Sequence, residues 1–153
     1  NGANDIALIE LITSLRFTDA VKPIALPLAH ETFTSGWLTG WGMSRRPWFY
    51  PVTLQRLEMK IVTNEECKEA LKRFKYFHQY PLLDTMVCSM PLSKGLEVGC
   101  NGDSGSPIAH EGVIIGVQSW SVACAIPKFN APTVFTEVSK YIDFIKDHVK
   151  NLP

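Results

Sequence analysis

Apolar positions in this chain fall in short runs rather than in long helical stripes. The segments "GWLTGWG", "LQRLEMKIV", "TMVCSM", "VIIGVQSW" and "PTVFTEV" are rich in aromatic, branched or other apolar residues, with Gly, Pro and Ser turns between them. Many short strands punctuated in this way predict an antiparallel all-β barrel or sandwich. A further run, "DIALIEL" from Asp5 to Leu11, sets Ile6, Leu8 and Glu10 on one side of a strand and Ala7, Ile9 and Leu11 on the other. That pattern predicts a buried strand covered on both faces. After it, "VKPIALPLAHETFTSG" carries Pro23, Pro27 and a polar tail and reads as a connector between two packed units, with a boundary near residues 28 to 35.

Two segments have the helical period instead. Thr63 followed by Glu66 forms a capping box, after which Cys67, Ala70, Leu71 and Phe74 share one helical face. Near the end, Val138, Tyr141, Ile142, Ile145 and Val149 share another, so a helix docked on the barrel is expected there. The lysines of the first helix read as a solvated face rather than a binding patch.

With 46% hydrophobic and 20% charged residues, the 153-residue chain has enough apolar material for a real core, which argues against disorder. Fifteen basic and fifteen acidic residues cancel, so the summed charge favours neither nucleic acid nor an anionic membrane as partner. No run of about 18 apolar residues offers a membrane span, and the first residues lack the layout of a signal peptide; a secreted protein would carry its leader outside this chain. The four cysteines, Cys67, Cys88, Cys100 and Cys124, include no CxxC and no histidine at ligand spacing, so no metal site is expected. An even number of widely spaced cysteines fits two loop-closing disulfides in an oxidising compartment better than buried free thiols, and three pairings are open.

The chemistry concentrates in "GCNGDSGSP", Gly99 to Pro107. A hydroxyl is a weak nucleophile until a base takes its proton and donors await the oxyanion formed by its attack. Ser104 has Gly102 two residues before it, and the backbone can turn there so that both N–H groups face one concavity. Asp103, wedged between them, is a carboxylate in a stretch too tight for free solvation, so a cationic partner is expected for it.

The whole run resembles the nucleophile segment of the chymotrypsin/trypsin-like serine endopeptidases, whose usual form is "GDSGGP"; here Ser106 replaces the last glycine. The resemblance extends along the chain. "NDIALIEL" is similar to the segment carrying the triad aspartate, "GWLTGWG" to the "GWG" strand, "VQSWSVAC" to the strand lining the substrate groove, and "PTVFTEVSKYIDFI" to the last strand and closing helix. "KGLEVGCNGDSG" and "CAIPKFNAPTVFTEV" are closest in pattern to arthropod chymotrypsin-like members. The resemblance implies an all-β, trypsin-like double antiparallel β-barrel of Greek-key type. Residues 1–30 would end the first barrel, and 31–153 would form the complete second barrel with its C-terminal helix, in a partial chain lacking the N-terminal third.

It further implies Ser104 as nucleophile, Gly102 and Ser104 as oxyanion donors, Asp5 as the orienting carboxylate and Asp103 as support for the loop, its cationic partner being the ammonium of a mature amino terminus outside these 153 residues. Cys67 would pair with Cys88, and Cys100 with Cys124. The pocket for the side chain before the scissile bond would be walled by Val98 and Gly99, by Ser119, Trp120 and Ser121, and by Ala131 to Thr133. No carboxylate stands at its base, which disfavours cleavage after Lys or Arg and favours apolar side chains. Ser121 and Thr133 stand where open pockets commonly have glycine, so small or medium residues fit as well as aromatic ones.

The family's catalytic histidine, in an "AHC" setting, comes before the aspartate, whereas His30, His78, His110 and His148 all follow Asp5. The resemblance thus implies a secreted, extracellular, monomeric endopeptidase acting on proteins or peptides, open to protease inhibitors and needing no cofactor. This chain alone would be weakly active or inactive. The alternative is a protease-like scaffold that binds a partner without catalysis, a use the fold permits.

Overall fold

The computed structural model describes residues 2–43, 49–74, 80–92, 98–122 and 131–149. Six strands form a closed antiparallel barrel: β1 (Ser35–Gly40), β2 (Gln55–Val62), β3 (Met86–Pro91), β4 (Pro107–His110), β5 (Val113–Ser121) and β6 (Thr133–Glu137). Their order around the barrel is β1-β2-β3-β6-β5-β4, so the sequence neighbours β3 and β4 are separated and β6 lies between β3 and β5. Closure pairs every strand on both sides and leaves no open sheet edge. The β4–β5 hairpin turns in two residues, Glu111 and Gly112, both at positive φ, and His110 pairs directly with Val113. Two left-handed residues make the type I′ turn whose twist matches the flanking strands.

Alternation of side chains separates two apolar clusters. Leu38, Met59, Ile108, Ile115 and Phe135 pack together inside the barrel. Val62, Cys67, Leu71, Phe74, Met86, Cys88 and Val134 pack outside it, beneath the helix α1 (Asn64–Leu71). The capping box forms as expected: Thr63 Oγ1 accepts from Glu66 N at 3.1 Å, and Glu66 Oε2 accepts from Thr63 N at 3.0 Å. The Cys67–Cys88 disulfide ties α1 to β3 within the outer cluster. The C-terminal segment begins as a 3-10 turn (Val138–Tyr141) and continues as α2 (Ile142–His148), with Val138 and Ile145 buried on the expected face.

Within these 153 residues the strand expected from Asp5 to Leu11 does not form, and most of its apolar side chains are exposed, with Ile9 at 86% and Leu11 at 55%. The six-stranded barrel closes without this segment and offers it no edge. The segment is held at a few points instead. Tyr141 Oη donates to Asn4 Oδ1 at 2.9 Å, and Thr136 Oγ1 donates to the Asp5 carbonyl at 2.8 Å. The connector is clipped to β5 through Ala25, whose N–H reaches Gly112 O and whose carbonyl accepts from Ile114 N, both at 3.0 Å.

Candidate active site

The Ser104 loop is braced from within and from β5. Asp103 N donates to Cys100 O at 3.0 Å and Ser106 N to Asp103 O at 2.8 Å, closing two tight turns around the serine. Gly105 N donates to Gln118 O at 2.8 Å, and Gln118 N to Ser106 O at 2.9 Å. Gly102 sits at φ +94°, in the region that favours glycine. Ser104 is exposed at the loop's tip, and among the described residues neither its N–H nor that of Gly102 takes a partner. Both expected oxyanion donors are therefore unpaired.

The Asp103 carboxylate is buried, and among the described residues no cation meets it. Its two oxygens accept from backbone amides, Oδ1 from Gly42 N at 2.7 Å and Oδ2 from Cys100 N at 2.9 Å. Hydrogen bonds to a carboxylate are stronger than those between neutral groups. This contact explains the glycine after Trp41: a Cβ at Gly42 would stand 2.2 Å from the Asp103 carboxyl carbon. The "GWG" segment and the serine loop are thus fitted to one another.

Asp5, although exposed, is oriented. Ser119 Oγ donates to Asp5 Oδ2 at 2.6 Å. The register of β5 against β6 runs Gln118 to Phe135 and then Trp120 to Val134, which leaves Ser119 as the extra residue of a bulge. A bulged residue is released from the ladder and its side chain can be re-aimed. Consecutive residues of β5 therefore hold the two expected catalytic groups, Gln118 through the backbone of the Ser104 loop and Ser119 through the carboxylate of Asp5.

The expected pocket walls also meet at this end of the barrel. Gly99 N donates to Thr133 Oγ1 at 3.2 Å, and Thr133 is fully buried. Val98 packs against the outer cluster together with Trp120, whose ring lies 5.7 Å from that of Tyr80. Ser121 is half-buried opposite Thr133. Gln118, only 3% exposed, lies against Gly99 and was not foreseen, although a glutamine at an inward position of "VIIGVQSW" is a visible break in an apolar pattern. Cys100 is disulfide-bonded, while Cys124, its expected partner, lies outside the described residues.

Histidines contribute nothing to this constellation among the described residues. His110 lies against Phe33, ring centroids 6.0 Å apart and planes tilted by 59°, His148 Nδ1 lies 2.8 Å from Phe144 O, and His30 occupies a turn at φ 68°. His78 lies outside the described residues.

Residues 1–145 match the protein-family model described as Trypsin. Kallikrein 1-related peptidase b21 of Mus musculus is 37% identical over 154 aligned residues, covering 99% of this chain and 55% of the relative. Trypsin-1 of Astacus astacus is 36% identical over 148, covering 94% and 59%. Among solved structures, neuropsin, a serine protease expressed in the limbic system of mouse brain, superposes with a TM-score of 0.72 at 30% identity, over 89% of this chain and 57% of its own. The chain spans about half the length of the curated relatives it matches.

Proposed function

Since the chain belongs to the trypsin family, we propose that it carries the nucleophile half of a secreted serine endopeptidase. Ser104 Oγ attacks the substrate carbonyl and gives its proton to a base, and the oxyanion is received by the N–H groups of Gly102 and Ser104. Collapse expels the amine, which takes the proton back, and leaves an acyl ester on Ser104 that water then hydrolyses. Asp5 orients the base. The base itself is a histidine from outside these 153 residues, because in the family it precedes the aspartate and all four histidines here follow Asp5. The carrying observation is that Gln118 and Ser119, adjacent on one strand, hold the Ser104 loop and the Asp5 carboxylate.

Residues 1–30 read as the end of a first barrel and 31–153 as the second. Val98, Gly99, Ser119, Trp120, Ser121 and Thr133 wall the pocket for the side chain before the scissile bond. No acidic residue stands among them, so an uncharged side chain with an apolar body is preferred over Lys or Arg. Substrate backbone pairs with Ser119 and Ser121 as an added strand. Partners are protein substrates and protein inhibitors of proteases, met outside the cell by a monomer; among the described residues, no helix is long and apolar enough to cross a membrane.

A fluorophosphonate probe tests the reading. Residues 1–153 alone are expected to react slowly, the full natural chain rapidly at Ser104, and Ser104→Ala variants of either not at all. Fast labelling of residues 1–153 alone would refute their weakness, and an unreactive full chain would refute the proteolytic function.

A further inference from the structure

Gln118 stands where the three pocket walls meet. It lies directly opposite Phe135 in the β5–β6 ladder, so its side chain shares the inner face with Phe135 and, two residues along β6, with Thr133. Its carboxamide rests on Gly99, where a Cβ would come within 2.2 Å of Oε1. Gly99 in turn donates its N–H to Thr133 Oγ1. The side chain is 3% exposed, and Oε1 has no hydrogen-bond partner among the described residues. Ser89 Oγ, on the residue opposite Thr133 in the β3–β6 ladder, is a second buried oxygen in the same condition. This end of the barrel interior is therefore polar and unsatisfied, whereas the cluster beside it is built of Leu38, Met59, Ile108, Ile115 and Phe135.

Buried acceptors without partners are rare in folded proteins, and each one calls for a reason. A valine or methionine at position 118 would extend the apolar lining with no such penalty. A ligand that brings a donor to this point would remove the penalty when it binds. We propose that Gln118 is a specificity-determining residue whose carboxamide oxygen accepts a hydrogen bond from the tip of the substrate residue before the scissile bond. The pocket then selects uncharged side chains with an apolar stem and a donor tip, such as glutamine and tyrosine, over methionine and phenylalanine of the same size. A neutral carboxamide supplies no counter-charge, so Lys and Arg stay disfavoured. The inference rests on the pocket reading given above and refines it: the apolar walls receive the stem, and Gln118 receives the tip.

The test compares kcat/KM of the full natural chain on internally quenched peptides that differ only at this residue, in the pairs Gln against Met and Tyr against Phe. Pairing one buried acceptor accounts for a factor of about 5 to 150, and a ratio of roughly tenfold in favour of the donor-tipped member is expected. Gln118→Met, of similar length and volume, brings both ratios to one or below; Gln118→Glu, which keeps the acceptor, retains them. A wild-type ratio at or below one overturns the proposal without any variant, as does a preference that survives Gln118→Met. Ser104-dependent cleavage that lacks the preference overturns the role of Gln118 alone. The absence of Ser104-dependent cleavage on every peptide overturns both this role and the proteolytic reading beneath it.

Discussion

Asp103→Asn isolates the contact that joins the serine loop to the strand behind it. The carboxylate is 9% exposed and accepts N–H bonds from Gly42 at 2.7 Å and Cys100 at 2.9 Å. Asparagine has the same shape but a single acceptor oxygen, so one backbone N–H must face an NH2 group instead. A hydrogen bond to a charged acceptor contributes about 1.5–3 kcal/mol, and a buried donor left unpaired costs about 1–3 kcal/mol. Against this, removing a buried charge that meets no cation among the described residues relieves some desolvation. The net expectation is a loss of about 2–3 kcal/mol. For a chain of this size that lowers Tm by about 4–12 °C, measurable by circular dichroism with the disulfides intact. Ser104→Ala, one residue away and exposed, is the control and should leave Tm unchanged within a degree or so. Gly42→Ala should destabilise as well, because its Cβ would meet the same carboxylate, and the double variant should lose less than the sum of the two. An Asp103→Asn protein within about 0.5 kcal/mol of the parent, or strict additivity with Gly42→Ala, would refute the reasoning.

Two other expectations follow from the same geometry. Ser119→Ala removes the 2.6 Å bond to Asp5. It should change stability by less than about 1 kcal/mol, because the pair is exposed, while lowering kcat of the full natural chain about 2- to 10-fold with little change in KM; a KM effect alone would count against an orienting role. Replacing Cys67 and Cys88 together by Ala removes the bridge between α1 and β3 and should cost about 3 kcal/mol in urea unfolding, and a loss under 1 kcal/mol would show that packing of the outer cluster, not the bridge, holds the helix.

The strands were legible wherever apolar residues alternate between turns, because a closed barrel buries an inner face and helices cover part of the outer one. The capping box was legible for a related reason: Thr63 and Glu66 satisfy each other's backbone donors locally, whatever the tertiary surroundings. The apolar run from Asp5 to Leu11 records a need for burial that the six-stranded barrel, closed on itself, does not supply within these 153 residues. The contacts of Asp103 were not legible: one amide is local, from Cys100, and one is distant, from Gly42, and backbone donors carry no signature in a sequence. Gln118 did leave a signal, a lone polar residue at an inward position, whose meaning needed Gly99 and Thr133 to be found beside it.

Those particulars converge on β5. Up to Val117 it pairs with β4, across a register shift that skips Ile115, and from Gly116 with β6. At Gln118 the pairing with β4 has ended, and the freed backbone N–H and carbonyl bind the serine loop. At Ser119 the bulge releases one residue from β6, and its hydroxyl binds Asp5. Pairing with β6 resumes at Trp120 and Ser121, opposite Val134 and the buried Thr133. The Ser104 loop, the Asp5 carboxylate and the proposed pocket wall are thus held by successive residues of a single strand that reaches into the barrel core at Ile115. A one-residue slip of β5 would displace all three together and turn Ile115 out of the core, so burial of the core and positioning of the site impose the same register.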